Sequence, residues 1–320
     1  MGILKTIRAG LAGTALALAA LPAAAQDWPG QPVTVLIPFS PGGANDTVAR
    51  TMGSALEETF GVPFTPVNAT GAGGFVAAQQ LVAGRADGYT VSHQSLGTFI
   101  LTSLMNEQQV DPLEDLTFVA QMAQLTSAVA VPASSEYETL QDLIDALQAS
   151  DGSMTWGHTG EGGFHHVNGV SFLDAIGAEG RDVPFDGSSA SRAALLGEQI
   201  DYAILSTSNY LGFENELRFL AFFSDSADAV LPDVPTMGDL GIDLVYVETP
   251  SVWVVPAGTD QAIVDQLSAA ISEVVGSDAY RDELISLGIT PAYRDGAEVR
   301  ELIQNRIGGW QAIIDGLDAE

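Results

Sequence analysis

The 320 residues carry 41 acidic side chains against 11 lysines and arginines, a formal net charge of −30, and no cysteine. That balance excludes nucleic acid as a partner, because a polyanion is held by clusters of basic residues that the chain lacks. Without cysteine there is no disulfide, no thiolate metal site, no cysteine nucleophile and no lipid-attachment cysteine.

In chain order, Lys5 and Arg8 precede an apolar run from Ala9 to Leu21 and then Ala23-Ala24-Ala25, the pattern of a secretory signal with an A-x-A cleavage site. Residues 1–25 are expected to be removed, leaving a soluble chain from about Gln26 in a periplasm. The apolar run is too short to span a bilayer comfortably, and the remaining length suits two lobes, each with its own core. Lys5 is the only lysine, so the mature chain sets nine arginines against all 41 acids. A saline habitat, where salt screens self-repulsion, and a GC-rich genome that replaces lysine with arginine both produce such a composition. An anionic ligand would need a locally positive site.

Val33 to Ile37 reads as a strand ended by Pro38, and Ala44 to Thr59 follows with helical spacing of Val48, Met52, Ala55 and Leu56. A second strand at 62–68 leads through "GAGG" at 71–74 into a helix from Phe75 to about Gly84. The turn Asp87-Gly88 then opens a third strand from Tyr89 to His93. Strands alternating with helices at this spacing predict a parallel, doubly wound sheet. The apolar segment 119–134 is long enough to leave one lobe and enter another. Thr139 and Asp142 form a capping pair ahead of Leu140, Leu143, Ile144 and Leu147 on one helix face. Gly160, Gly162 and Gly163 open a helix over Phe164 to Ile176, and Gly187-Ser188-Ser189 open another, followed by a strand from Tyr202 to Leu205. A strand at 218–224, the proline-rich connection "LPDVPTMGDLG", an extended return at 244–259 and helices at about 260–276, 278–287 and 297–316 complete the chain. The lobes are expected to comprise 26–124 plus 248–320 and 125–247.

Four helix starts are thus marked by glycine. Glycine lets a ligand approach the first N–H groups of a helix, which lack intrahelical partners and sit at the positive end of its dipole. Two such starts in each lobe, facing across a cleft, could hold a carboxylate at each end of a small molecule without any lysine. Singly, each signal also fits a close helix–strand contact or an Asn or Asp cap.

"PFSPGGANDTVAR", "NATGAGGFVAAQQLVAGRADGYT", "VPFDGSSASRAALLGEQID" and "LPDVPTMGDLG" together resemble the signature blocks of the Bug family, the periplasmic substrate-binding proteins of tripartite tricarboxylate transporters, in order from about Pro32 to the C-terminus. The resemblance implies an α/β, two-lobed type II periplasmic binding protein, a Venus flytrap whose doubly wound sheets are joined by two crossover segments. It implies a monomer that captures an organic acid and delivers it to membrane subunits of the transporter, with no cofactor, no metal and no bond made or broken. One ligand carboxylate would be held through backbone groups and ordered waters by Phe39, Ser40, Pro41, Gly42 and Gly43 with Gly71, Ala72, Gly73 and Gly74. Asp46 would brace the two loops, or simply pair with Arg50 at i,i+4 on a surface helix. The far end of the ligand would meet His158, Gly160, Gly162, Gly163, Phe164 and His165, then Phe185, Gly187, Ser188 and Ser189, with Ser95, Gly97 and Thr98 near the hinge.

The chain departs from the family pattern at Phe185-Asp186-Gly187, where a tyrosine and lysine usually precede the glycine. A carboxylate in place of a cation disfavours a tricarboxylate and favours a dicarboxylate or an aromatic or medium-chain acid. Phe39, Phe164 and Trp156 are candidate apolar walls, with a lobe-core position the better reading of Trp156. Replacing Gly42 or Gly73 with valine is expected to block binding while leaving folding largely intact.

Two rival readings remain. "HTGEGGFHH" offers His158, Glu161, His165 and His166 as zinc ligands, but the spacing matches neither H-E-x-x-H nor H-x-x-E-H and the glycines interrupt any common helical face. Presentation of a ligand to a sensor kinase would use the same fold and pocket. Enzyme templates fail: the chain lacks a G-x-S-x-G elbow, a mature-chain lysine for a P-loop or Schiff base, and the full dinucleotide fingerprint.

Overall fold

The computed structural model describes residues 28–317, so the signal-peptide reading over 1–25 lies outside the described residues. The chain opens with β1 (Val33–Ile37), α1 (Ala44–Phe60), β2 (Phe64–Asn68), a 3₁₀ turn at Ala72–Gly74, α2 (Phe75–Val82), β3 (Thr90–Ser95), α3 (Leu96–Met105) and β4 (Leu116–Leu125). It continues through β5 (Ser127–Pro132), α4 (Leu140–Ala149), β6 (Thr155–His158), α5 (Phe164–Ile176), β7 (Arg181–Pro184), α6 (Ser188–Leu196), β8 (Tyr202–Ser206), a 3₁₀ turn at Thr207–Asn209 and β9 (Leu217–Phe222). The last part is β10 (Thr249–Pro256), α7 (Gln261–Gly276), α8 (Asp278–Ser286), β11 (Thr290–Asp295) and α9 (Gly296–Leu317).

The strands form two sheets, β11-β4-β10-β3-β1-β2 and β7-β6-β8-β5-β9. The chain passes from the first to the second at Thr126 and returns through residues 223–248. Both sheets are mixed. β1 runs parallel to β2 and β3, and β6 parallel to β7 and β8, as the strand–helix alternation predicts. β10 and β5 run antiparallel to their neighbours. The cause is the crossing itself: a strand arriving from the other sheet enters at the edge where the parallel strands end, so it must point the opposite way. The facing edges are therefore the C-terminal ends of β1, β2 and β3 on one side and of β6, β7 and β8 on the other.

Alternation along the strands builds a core on each face. Val33, Val35 and Ile37 enter the core under α1 and α7, while Leu36 enters the one under α2, α3 and α9. In the second sheet Val129 and Val131 face α4 and α5, and Ala128 and Ala130 face α6. Each large aliphatic or aromatic side chain buried this way contributes about 1.5–3 kcal/mol. Trp156 is 1% exposed within the third of these cores, the place expected of it. Val167 of α5 joins the core beneath α3 and α9, and Asn168 of α5 accepts from the Val247 amide at 2.7 Å, so α5 is packed against the first sheet's layer as well as its own.

Two elements escape the sequence periodicity. α3 reads "LGTFILTSLM", apolar nearly all round because it is covered on several sides, and so shows no helical stripe. β11 is a six-residue edge strand whose Pro291 and charged Arg294 and Asp295 suit the outside of a sheet.

Candidate functional site

The helix starts divide into two groups. The first turn of α4 is capped by Thr139, that of α7 by Asp260 and that of α8 by Ser277. Asp295 accepts from the Ala297 and Glu298 amides at the start of α9. By contrast α1, α2, α3, α5 and α6 begin at Gly43, Gly74, Ser95, Gly163 and Gly187 with no side-chain cap. All five follow, directly or through a short turn, a strand that ends at the facing edges. The first amide of α2, Phe75, bonds the Ala72 carbonyl; otherwise the first N–H groups lack a capping side chain, and with the dipole ends they make those edges locally positive in an acidic chain.

The first turn is built around Asp46, which is 2% exposed. Its carboxylate accepts from the Gly42 amide at 2.9 Å, from Arg50 Nε at 2.8 Å and from Asn68 Nδ2 at 2.7 Å. Asn68 Nδ2 also donates to the Phe39 carbonyl at 2.8 Å, and Arg50 Nη2 to Asn68 Oδ1 at 2.9 Å. The end of β2 is thereby tied to the turn after β1. Burial alone would raise the Asp46 carboxyl, but the hydrogen bonds from Arg50, Gly42 and Asn68 prevail and hold it at about 2. The i,i+4 ion pair with Arg50 is part of this network, and Asn68, not singled out in the sequence, is its other anchor; among the described residues Asp46 makes no hydrogen bond to the 71–74 turn.

Ser40, Pro41, Gly42 and Gly43 are exposed and Phe39 is half-buried, edge-on to His93. Gly42 has φ +82°, and a Cβ there would meet nothing within 4 Å. The second glycine turn is different. Gly71, Ala72, Gly73 and Gly74 all have positive φ, and a Cβ on Gly73 or Gly74 would overlap Thr102 or Gln94. These two glycines are required by packing against α3 and β3, which overturns the expectation that Gly73→Val would leave folding intact. Gly97 is likewise pressed against the Glu248 carbonyl, and Ser95 is buried, while Thr98 is half-buried.

Behind the first turn, His93 is fully buried, with Nε2 3.3 Å from Asn45 Oδ1, which also accepts from Ser251 Oγ at 3.2 Å. Burial pushes this imidazole down to about 3, against the pull of Asp46, so it is neutral.

In the far turn, Gly160 and Gly162 have positive φ and Gly187 has φ +96°. Met105, at the end of α3, sits where a Cβ on Gly162 would go, which puts the two layers in contact beside this turn. Phe164 packs against the core under α3 and α9, and Phe185 is half-buried against Gly157. Gly187 and Ser189 are exposed and Ser188 is half-buried. His158 and His165 are 0% and 1% exposed. His158 places Nδ1 3.0 Å from the Gly160 carbonyl and Nε2 3.1 Å from Asp182. His165 links Thr159 Oγ1 and Ser206 Oγ, both at 3.0 Å, and burial, assisted by His158, pushes it down to about 3. Both imidazoles hold the turn in shape; Gly160 and Gly163 are half-buried in it, Gly162 is buried and Glu161 is its exposed residue.

The zinc set expected as the rival does not assemble. His158 and His166 meet Asp182, while Glu161 and His165 stand outside the group. The two imidazoles are stacked, centroids 4.4 Å apart and planes 23° from parallel, with Nε2 of His158 and of His166 at 3.1 and 3.9 Å from Asp182 Oδ2. The Gly162 amide also donates to His166 Nδ1 at 3.0 Å, which puts the ring proton on Nε2, the atom a metal would need. A cavity of about 1060 Å³ lies between α5 and α9, lined by Leu173, Leu244 and Ile313 among others; none of the glycine turns lines it.

Comparison with known proteins gives a consistent result. The family model described as "Tripartite tricarboxylate transporter family receptor" matches residues 48–318. The "UPF0065 protein in gbd 5'region" of Cupriavidus necator is 30% identical over 318 residues, covering 97% of this chain and 96% of the relative. A TctC solute binding protein from Polaromonas superposes with a TM-score of 0.81 at 23% identity, covering 90% of this chain and 99% of that one. The structure of R. palustris Rpa4515 with adipate superposes with a TM-score of 0.75 at 25% identity, covering 90% and 98%.

Proposed function

Since the chain belongs to the receptor family of tripartite tricarboxylate transporters, we propose that it is an exported binding protein that takes an organic carboxylate between two lobes, 26–124 plus 248–320 and 125–247, and delivers it to the transporter's membrane subunits. One observation carries this reading: the five uncapped helix starts each follow a strand that ends at a facing edge, whereas α4, α7 and α9, which are capped, follow strands that run away from it. A carboxylate at each edge would supply the missing acceptors. Ligand bridging both lobes stabilises the closed arrangement through its higher affinity for it, with no chemistry required.

The ligand class follows from charge. The exposed Asp186 beside Gly187 repels a third carboxylate, so a dicarboxylate or a medium-chain or aromatic acid fits better than citrate. The similarity to a protein solved with adipate supports the same choice. Presentation to a sensor kinase would use the same pocket, and no observation favours it. A thermal-shift screen of the mature chain against dicarboxylates, citrate and aromatic acids tests the proposal: one organic acid should raise Tm in the presence of a chelator. No rise with any acid would refute it.

A further inference from the structure

In the second sheet's layer the cations are few and mostly committed. Arg218 gives its N–H groups to the carbonyls of Ala133 and Tyr137, and Arg181 donates to the Ser153 carbonyl at the opposite end of that sheet. Arg192 differs. It lies on α6 one turn beyond Ser188, half-buried, with its guanidinium seated 3.8 Å over the Phe213 ring. Its one hydrogen bond runs from Nη1 to the Asn209 carbonyl at 3.0 Å, and among the described residues it forms no ion pair.

The place of that anchor matters. Asn209 follows β8 at the edge where β6 and β7 also end and where β5 begins, one residue after the chain leaves the first sheet. Stacking on an aromatic face leaves the N–H rim of a guanidinium free for a planar, bidentate acceptor. A cation with spare donors at this edge, in a chain of net charge −30, marks a place for an anion that the protein does not itself supply.

We propose that Arg192 is a specificity-determining residue that receives the second carboxylate of a dicarboxylate whose first is held at the starts of α1 and α2. This rests on the carboxylate-cleft reading above and narrows it from organic acids in general to straight-chain diacids. It also supplies, five residues after Gly187, the positive charge that Phe185-Asp186 does not provide before it.

The test is titration calorimetry with succinate, adipate and suberate, each beside the monoacid of the same carbon number. The wild-type chain should prefer a diacid to its monoacid. Arg192→Gln should weaken the best diacid about tenfold or more while leaving the monoacid unchanged, and Arg192→Lys should restore part of the difference. Phe213→Leu keeps the charge but removes its seat, and should also reduce the preference. Thermal unfolding of each variant confirms that it is folded. Equal weakening of both acids by Arg192→Gln, or no change in either, overturns the inference and leaves the cleft reading standing. If the wild-type chain binds neither diacids nor monoacids, the cleft reading falls and this inference with it.

Discussion

The carboxylate of Asp46 and the side-chain amide of Asn68, 22 residues apart, meet at 2.7 Å and lock the turn after β1 to the end of β2. The same carboxylate holds the Gly42 amide and Arg50, so its removal leaves three donors without their acceptor. Asp46→Ala is expected to cost about 2–3 kcal/mol of stability, the value of a buried hydrogen-bonded charge. Urea unfolding measures this. Ligand affinity should fall further than the stability loss alone explains, because the turn itself is released.

Gly42 and Gly73 are expected to behave differently when replaced by valine. At Gly42 the added side chain meets open space, so the cost is the left-handed backbone, about 1–2 kcal/mol. That variant should fold and lose ligand binding. At Gly73 the side chain collides with Thr102, so Gly73→Val should lower Tm sharply, and Thr102→Ala should recover part of the loss. Equal melting points for the two valine variants would contradict this assignment.

Acid should destabilise the fold through its histidines. Burial holds His93 and His165 at about 3 and lowers His166, whereas an unfolded histidine titrates near 6.5. Below that pH the unfolded chain takes up protons the native chain refuses, so stability falls as pH drops, by about 1.4 kcal/mol per unit for each fully buried ring. The urea midpoint should be lower at pH 5 than at pH 7.5, and His165→Gln should reduce the slope. Asp46 acts in a lower window: its contribution is complete above the unfolded carboxylate value and is lost as pH falls toward about 2.

Zinc should not raise Tm. His166 would have to surrender the Gly162 hydrogen bond before its Nε2 could hold a metal. A zinc-dependent rise abolished by chelator would show that it does.

Where the sequence and the fold agree, the information is local. The Thr139–Asp142 capping box, the strand before "PGGAND" and the helix after it depend on neighbours a few residues away, and they form as read. Non-local relationships were not legible. Gly42 and Gly73 look alike in the sequence because each precedes a helix, yet only the fold shows that one faces open space and the other Thr102. α3 hides because burial on several sides erases its periodicity. Arg192 gains its meaning from Phe213 and Asn209, which the chain topology alone brings to it.

Hydrogen exchange of the backbone amides, with and without the acid that gives the largest thermal shift, tests the central claim most directly. Protection should rise at the first turns of α1, α5 and α6, which no side chain caps, and stay unchanged at those of α4, α7, α8 and α9. Protection that skips the uncapped starts and centres instead on the cavity between α5 and α9 would contradict the account.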